Sequence, residues 1–394
     1  MKISTAARKG TFRFGCRQAL CTLALLAALP LTLRAAEPQK IAMTPDHWEI
    51  KGDAQFLRSD GNAPADDLVK VAKGHVLLKD VAFRDGTIEF DVQPNGSMGA
   101  GIAFHYRDEN TYEDFYLRPR PKCDQVQECI QYAPTTKGVL LWDLYPQFQK
   151  PAPLKDGESW NHVRMVISGK RMNIYINGAM QPSLKVGRLE GDAAEGGIFL
   201  QGPGTFANLV ITPGATDGLA SAPEPDATDS DWRLLRNWQI SAWSTLDLGK
   251  DPAYADLPMN GWSPIHAERD GLINISRIYG LPTERKTRTL AWLKTTVVSD
   301  KAQSKKVDLG LAREAWVFVN GKLVFSDKSI EAPSSKLDRR LALDNGSFDL
   351  PLQEGKNEIV IAATTKYFGW GIKMRLADTK GIKLVESKSH PAMQ

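Results

Sequence analysis

Short runs of alternating apolar and polar residues recur along the chain, and they constrain the fold more than any other sequence feature. Gly86–Gln93 has an apolar side chain at every second position, and residues 163–167 and 172–176 repeat this on either side of a Ser-Gly-Lys-Arg turn. A period of two residues is that of a β-strand with one buried face. No helical periodicity of comparable strength competes, so the sequence predicts an all-β protein built of antiparallel sandwiches.

Similar strand-like runs occupy the second half of the chain, at residues 291–299, 315–325 and 357–365. Within one of them, Asn320-Gly321 is the two-residue hairpin turn that right-handed strand twist favours.

The two halves are separated by a stretch rich in proline, alanine, glycine and aspartate, without aromatic residues or periodicity. The chain is also long for a single core. We therefore expect a first antiparallel sandwich over residues 40–212, a linker over residues 213–231, and a second sandwich over residues 232–390.

The first 36 residues have the composition of a cleaved export signal. Lysines and arginines precede an apolar run, Ala19–Leu33, and small residues follow at Ala35 and Ala36. The run is shorter than the roughly 20 residues that span a bilayer. Cleavage near Ala36 removes six basic residues and changes the formal net charge from +4 to −2. This removes the main support for a nucleic-acid partner. We expect a secreted or periplasmic protein without a transmembrane segment in its mature form; the sequence leaves its oligomeric state unknown.

Several short segments of the first half form a recognisable set. They are residues 85–90, 101–105, 112–119, 131–134, 142–145, 160–164 and 206–208. With them, residues 46–212 resemble the laminin-G/concanavalin-A-like jelly roll of secreted bacterial proteins, including domains related to the 3-keto-disaccharide hydrolase family. The Tyr-Leu-Arg-Pro…Gln-Tyr…Trp pattern carries most of the specificity.

Three segments of the second half carry another resemblance: residues 316–322, 352–359 and 368–371. With them, residues 232–380 resemble a galactose-binding-domain-like jelly roll of the type appended to glycoside hydrolases. Both resemblances imply a carbohydrate as the partner.

Sugar recognition combines flat apolar faces for pyranose rings with planar polar groups for hydroxyl pairs. The first half concentrates such residues between positions 105 and 145. Because side chains alternate along a strand, Tyr116 and Arg118 should share one face, opposite Phe115 and Leu117. We expect a carbohydrate-binding face formed by Tyr112, Tyr116, Arg118, Gln131, Tyr132 and Trp142, with Trp370 as a candidate in the second half.

The resemblance also implies an enzyme alternative, a glycoside hydrolase or lyase acting on 3-keto-glycosides. In that case Glu113 is the first carboxylate to test, with His105 as its possible partner. Glu89 and Asp91 are interpreted as the polar side of a half-buried strand, because the full E-x-D-x-x-E pattern of sandwich glucanases is missing. A third alternative is an envelope module that binds another protein. The metal requirement is unknown; Ca²⁺ is one candidate, through the acidic loop Asp60–Asp67.

Cys123 and Cys129 are the only cysteines outside the first thirty residues. A zinc site is disfavoured because no second ligand pair lies at a recognisable spacing. Nearby cysteines of an exported protein should oxidise. The sequence therefore predicts a Cys123–Cys129 disulfide that closes a short loop and fixes how Arg118 faces Gln131 and Tyr132.

Overall fold

The computed structural model describes residues 37–96, 99–155, 157–282, 287–328 and 340–385. Antiparallel strands form almost all of its regular structure, so the predicted all-β fold is confirmed. The predicted export signal lies outside the described residues. The described part of the chain holds no apolar helix of bilayer-spanning length.

One curled sheet contains every strand of the first half, in the order β12-β11-β10-β4-β14-β3-β13-β5-β6-β7-β8, with β1 on β14, β2 on β3 and β9 on β7. Residues 204–206 of β14 pair with both β3 and β4 and join the two layers. The strands are β1 Gln39–Ile41, β2 Trp48–Arg58, β3 Asp67–Leu78, β4 Gly86–Pro94, β5 Ala100–Asp108, β6 Thr111–Leu117, β7 Ile130–Thr136, β8 Val139–Leu140, β9 Gln149–Lys150, β10 Asn161–Ser168, β11 Arg171–Ile176, β12 Leu184–Val186, β13 Gly197–Gln201 and β14 Gly204–Pro213. A 3-10 turn covers Pro146–Phe148.

The first core lies between the two layers, and the alternating runs supply it as predicted. On β4, Ile88, Phe90 and Val92 are fully buried, while Glu89 and Asp91 are only partly buried on the other face. Strand β10 contributes its own alternate residues to the same core. Burying such a side chain contributes about 1.5–3 kcal/mol, which explains why the pattern selects one face of each strand.

The second half forms two sheets around a second core. The larger has the order β17-β15-β19-β24-β21-β22, with β16 and β26 on β19, and the smaller has the order β18-β25-β20-β23. The elements are β15 Asn237–Ser241, β16 Ser244–Leu246, β17 Trp262–His266, β18 Ile273–Asn274, α1 Ile275–Tyr279, β19 Arg288–Ser299, β20 Gln303–Leu311, β21 Glu314–Val319, β22 Lys322–Asp327, β23 Gly346–Leu352, β24 Gly355–Thr365, β25 Gly371–Leu376 and β26 Ile382–Leu384, with 3-10 turns at Tyr254–Asp256 and Arg269–Gly271. Asn320 and Gly321 join β21 to β22 with positive φ angles of 48° and 81°, as the predicted hairpin turn requires.

The segment between the halves is held by hydrogen bonds to both. Its Ser221 carbonyl accepts from Lys170 N at 2.9 Å, and Glu224 N donates to Gly187 O at 2.8 Å. On the other side, Arg269 Nη2 donates to Pro225 O at 3.1 Å. The described residues of both halves belong to one compact unit, so the domain bounds stay a prediction even though the described strands of each half pair only among themselves.

A buried ion pair joins the two halves. The Arg313 guanidinium pairs with the Asp143 carboxylate, and these side chains are 3% and 0% exposed. Gly369 N also donates to Asp143 Oδ1 at 3.0 Å. Because both charges are out of water, removing either partner leaves the other buried without its opposite charge.

Candidate functional site

The face of strands β5, β6 and β7 opposite the first core gathers most of the predicted binding residues, and Tyr116 and Gln131 are 4% and 0% exposed there. Phe115 and Leu117 of β6 belong to the first core, so alternation places Asp114 and Tyr116 on the opposite face. Tyr116 pairs with Gln131 of β7 in the strand register. The face therefore combines a carboxylate, a phenol and an amide.

Hydrogen bonds and ring contacts connect this face to Arg118 and Trp142. Tyr116 OH donates to Gln131 Oε1 at 2.7 Å, and Gln131 Nε2 donates to the Trp142 carbonyl at 3.0 Å. The Arg118 guanidinium lies 4.9 Å from the centre of the Tyr116 ring and 5.8 Å from that of Trp142. Phe368, from the second half, packs its ring against Trp142 at 5.7 Å. Four predicted residues are thus brought together: Tyr116, Arg118, Gln131 and Trp142.

Asp114 is the residue of this face that the sequence analysis did not select. Its side chain is 3% exposed, and it lies opposite Ala103 and Ala133 on the neighbouring strands. Gln201 Nε2 donates to Asp114 Oδ1 at 2.5 Å. Burial among these apolar neighbours raises the pKa of Asp114 to about 7. The signal was available, because positions 114, 116 and 118 share one strand face.

Glu113, the carboxylate preferred from the sequence, points to the other side of β6. It accepts hydrogen bonds from Tyr132 OH at 2.7 Å and from Gly191 N at 3.1 Å. The Tyr132 hydroxyl in turn accepts from Glu190 N at 2.6 Å. Glu113 and Tyr132 are both fully buried, and burial raises the pKa of Glu113 to about 7. These two residues hold the backbone of residues 190–191 and do not share the face of Tyr116.

The other candidates lie apart from this face or at its end. His105 is fully buried, with Nε2 hydrogen-bonded to Arg84 O at 2.8 Å, and burial lowers the pKa of its imidazole. Trp370 is 1% exposed and belongs to the second core, so its ring is covered by protein. Tyr112 lies partly buried at the far end of the face, 5.0 Å from the Phe199 ring. Of these three residues, only Tyr112 lies on the same face as Tyr116.

The predicted disulfide between Cys123 and Cys129 is confirmed. The loop that it closes returns beside β6, where Arg118 N donates to Cys129 O at 2.8 Å. Arg120 N donates to Cys123 Sγ at 3.3 Å. The bridge therefore lies directly next to the residue whose guanidinium covers Tyr116.

Neither the acidic strand nor the acidic loop adds to this site. Asp91 accepts from Asn208 Nδ2 at 2.7 Å and pairs with His162 Nδ1 at 2.8 Å. In the loop, Asp60 accepts from Asn62 N, and Asp67 accepts from Met43 N. Among the residues that the structure describes, no group of three or more His, Cys, Asp or Glu side chains is placed to hold a metal ion.

The sequence of the first half is similar to a known family. Residues 42–212 match the 3-keto-alpha-glucoside-1,2-lyase-like domain. The resemblance predicted for this half is thereby confirmed. The comparison with curated proteins finds no match. The β6–β7 face lies within the matched residues.

Solved structures give remote similarities. A carbohydrate-binding module from Bacillus subtilis is 13% identical, covers 42% of this chain and 92% of its own, and has a TM-score of 0.29. A putative glycosyl hydrolase from Parabacteroides distasonis is 12% identical, with 45% and 99% coverage and a TM-score of 0.32. A Bacillus subtilis protein of unknown function with a galectin-like fold is also 12% identical, with 45% and 98% coverage and a TM-score of 0.30.

Proposed function

We propose that this protein recognises a glycan on the face of β5–β7 opposite the first core, a surface that we call the Asp114 face: Tyr112, Asp114, Tyr116, Arg118, Gln131 and Trp142. The observation that carries the proposal is the convergence of a carboxylate, a guanidinium and aromatic rings on one sheet face. The match of residues 42–212 to the lyase-like domain supports a saccharide as the ligand.

Each side chain has a distinct task in this proposal. The partly buried Trp142 offers a flat apolar surface to a pyranose ring. Arg118 donates to sugar oxygens and Asp114 accepts from sugar hydroxyls, and such charge-assisted hydrogen bonds are the stronger kind. Tyr116 and Gln131 are occupied with each other and with the Trp142 carbonyl, so they position the face.

A binding assay with matched tryptophan variants tests the proposal. The mature protein is titrated with a panel of glycans that includes 3-keto-α-glucosides. Trp142→Ala should weaken binding about tenfold, equivalent to about 1.4 kcal/mol. The control is Trp232→Ala, whose side chain is 77% exposed in the second half; it should leave binding unchanged. Equal affinity of wild type, Trp142→Ala and Arg118→Ala would rule out this face.

A second candidate function, a 1,2-lyase acting on a 3-keto-glycoside, is favoured by the raised pKa of Asp114. Its pKa of about 7 matches that of an efficient general base near neutral pH. In a 1,2-elimination the base takes the C2 proton, which the C3 carbonyl acidifies. The C1=C2 double bond forms as the C1–O bond breaks, and the leaving oxygen keeps the electron pair and takes up a proton. The Arg118 cation would stabilise the negative charge that develops on the C3 oxygen.

Product analysis separates the lyase from a binding protein. With a 3-keto-α-glucoside, proton NMR should show the unsaturated product and the released alcohol for wild type. Asp114→Asn should bind the substrate and release no product, whereas Glu113→Gln should retain turnover if it stays folded. Turnover by Asp114→Asn at the wild-type rate would exclude Asp114 as the base.

We also propose that the protein acts outside the cytoplasm. The Cys123–Cys129 bridge supports this, because disulfides persist in oxidising compartments. N-terminal sequencing of protein recovered after export should begin near Glu37. A chain that starts at Met1 and remains in the cytoplasm would contradict the proposal.

A further inference from the structure

A second concave site lies where the lyase-like domain meets the residues that follow it. It is a cavity of about 400 Å³, within the range of roughly 300–1,000 Å³ that is usual for small-molecule sites. Tyr145 and Phe148 provide apolar surface, and the charged side chains of Arg188, Glu190 and Arg269 also line it. We call it the Glu190 cavity.

None of the residues that the structure describes donates a hydrogen bond to the Glu190 carboxyl. The residue is 7% exposed, and its nearest cationic atoms among the described residues are Arg188 Nε at 3.6 Å and Arg269 Nε at 3.9 Å. Both distances exceed hydrogen-bond length. Buried carboxylates are normally hydrogen-bonded, because desolvation without a partner is costly. The carboxyl therefore has acceptor capacity directed at the cavity.

The backbone that carries this carboxyl is held from both halves of the chain. Glu190 N donates to Tyr132 OH at 2.6 Å, and Glu190 O accepts from Arg277 Nη2 at 2.7 Å. Gly191 N donates to Glu113 Oε1, and a Cβ at Gly191 would lie 2.5 Å from that oxygen. The position of Glu190 is thus fixed by the buried Glu113–Tyr132 pair. Positioning Glu190 is a role for these two residues that is independent of the Asp114 face.

We propose that the Glu190 cavity binds one neutral sugar residue, at a site separate from the Asp114 face. A carboxylate beside guanidinium groups matches a pair of neighbouring hydroxyls, because the carboxylate accepts their protons while the arginines donate to their oxygens. The mixed charge of the walls disfavours ionic ligands. Neither sign dominates, because the lining includes four carboxylates and five cations: Glu190, Glu224, Asp226, Asp270, Lys150, Lys185, Arg188, Arg269 and Lys373.

Saturation-transfer NMR and calorimetry on the mature full-length protein test this proposal, with glucose and maltose as neutral probes and glucuronate and sulfate as anionic ones. Wild type should bind a neutral probe saturably, with an affinity that changes little between 50 and 500 mM NaCl. Glu190→Gln and Arg188→Ala should each weaken that binding about tenfold. The matched control is Arg84→Ala, which removes a 63% exposed arginine paired with Glu195 elsewhere on the surface, and it should bind as wild type does.

A further control separates this cavity from the proposed Asp114 face. Trp142→Ala should leave the glucose signal intact, even if it abolishes glycan binding at the Asp114 face. Loss of all sugar binding in Trp142→Ala, with wild-type binding in Glu190→Gln, would overturn the proposal. So would tighter binding of glucuronate or sulfate than of glucose, or no saturable binding of any neutral probe. Thermal unfolding of each variant confirms that it is folded.

Discussion

Replacing Asp114 with asparagine should stabilise the protein at neutral and alkaline pH. The carboxyl is 3% exposed, lies between two alanines and has one hydrogen-bond donor, Gln201, among the described residues. Its folded-state pKa is about 7, against an ordinary value of 3.8. An acid with a raised pKa binds its proton more tightly when folded, so its ionisation costs stability as pH rises from about 4 to about 7.

The expected size follows from the difference between these pKa values. About three units at 1.36 kcal/mol per unit give up to about 4 kcal/mol at pH 8. Because asparagine is neutral throughout, Asp114→Asn and wild type should have similar free energies of unfolding at pH 4 and diverge by a few kcal/mol at pH 8. Glu113 and Glu190 are unchanged in both proteins, so the comparison isolates Asp114.

Urea unfolding followed by tryptophan fluorescence, at intervals from pH 4 to pH 9, measures this difference. Asp91→Asn is the matched control with the opposite sign. Hydrogen bonds from His162 and Asn208 lower the pKa of Asp91 despite its burial, so its stabilising contribution is present at neutral pH and lost on acidification. Asp91→Asn should therefore destabilise the protein at pH 7. A variant Asp114→Asn that is less stable than wild type at pH 8 would refute the reasoning about the buried carboxyl.

Two further perturbations concern the elements that support the Asp114 face. Cys123→Ser combined with Cys129→Ser should lower the free energy of unfolding by about 2 kcal/mol, because the closed loop is short. In calorimetry the same variant should bind the glycan more weakly, by a larger factor than that loss of stability explains. Unchanged binding would show that the bridge does not organise the face. Arg313→Met should lower the free energy of unfolding in urea by about 3–5 kcal/mol, because it leaves Asp143 buried without its cation. Arg375 is partly exposed, so Arg375→Met should lower it by less than about 1 kcal/mol. Similar losses in both variants would contradict the burial argument.

Local sequence pattern was sufficient for the strands, the hairpin turn and the disulfide. Alternation predicted the buried face of β4, because every second side chain of a strand points to the same face of the sheet. The positive φ angles of Asn320 and Gly321 are those of a type I′ hairpin turn, whose twist matches that of the strands. Cys123 and Cys129 are six positions apart in an expected oxidising compartment, so their pairing needed no knowledge of the fold.

Tertiary structure decided which polar residues meet. Glu113 and Asp114 are adjacent acids, and the sequence analysis selected Glu113. The position of the first core places Glu113 on the side of Tyr132 and Asp114 on the opposite face, beside Tyr116. Trp370 is an aromatic residue of the kind that binds sugar rings, yet it is buried in the second core.

No local sequence pattern could predict the Glu190 cavity. Its walls come from positions as distant as Tyr145 and Lys373, and their approach depends on how the two halves pack. Side-chain direction along a strand is a local property that a sequence can express, whereas the neighbours of a side chain depend on long-range packing, and that packing determines burial, pKa and access to a ligand.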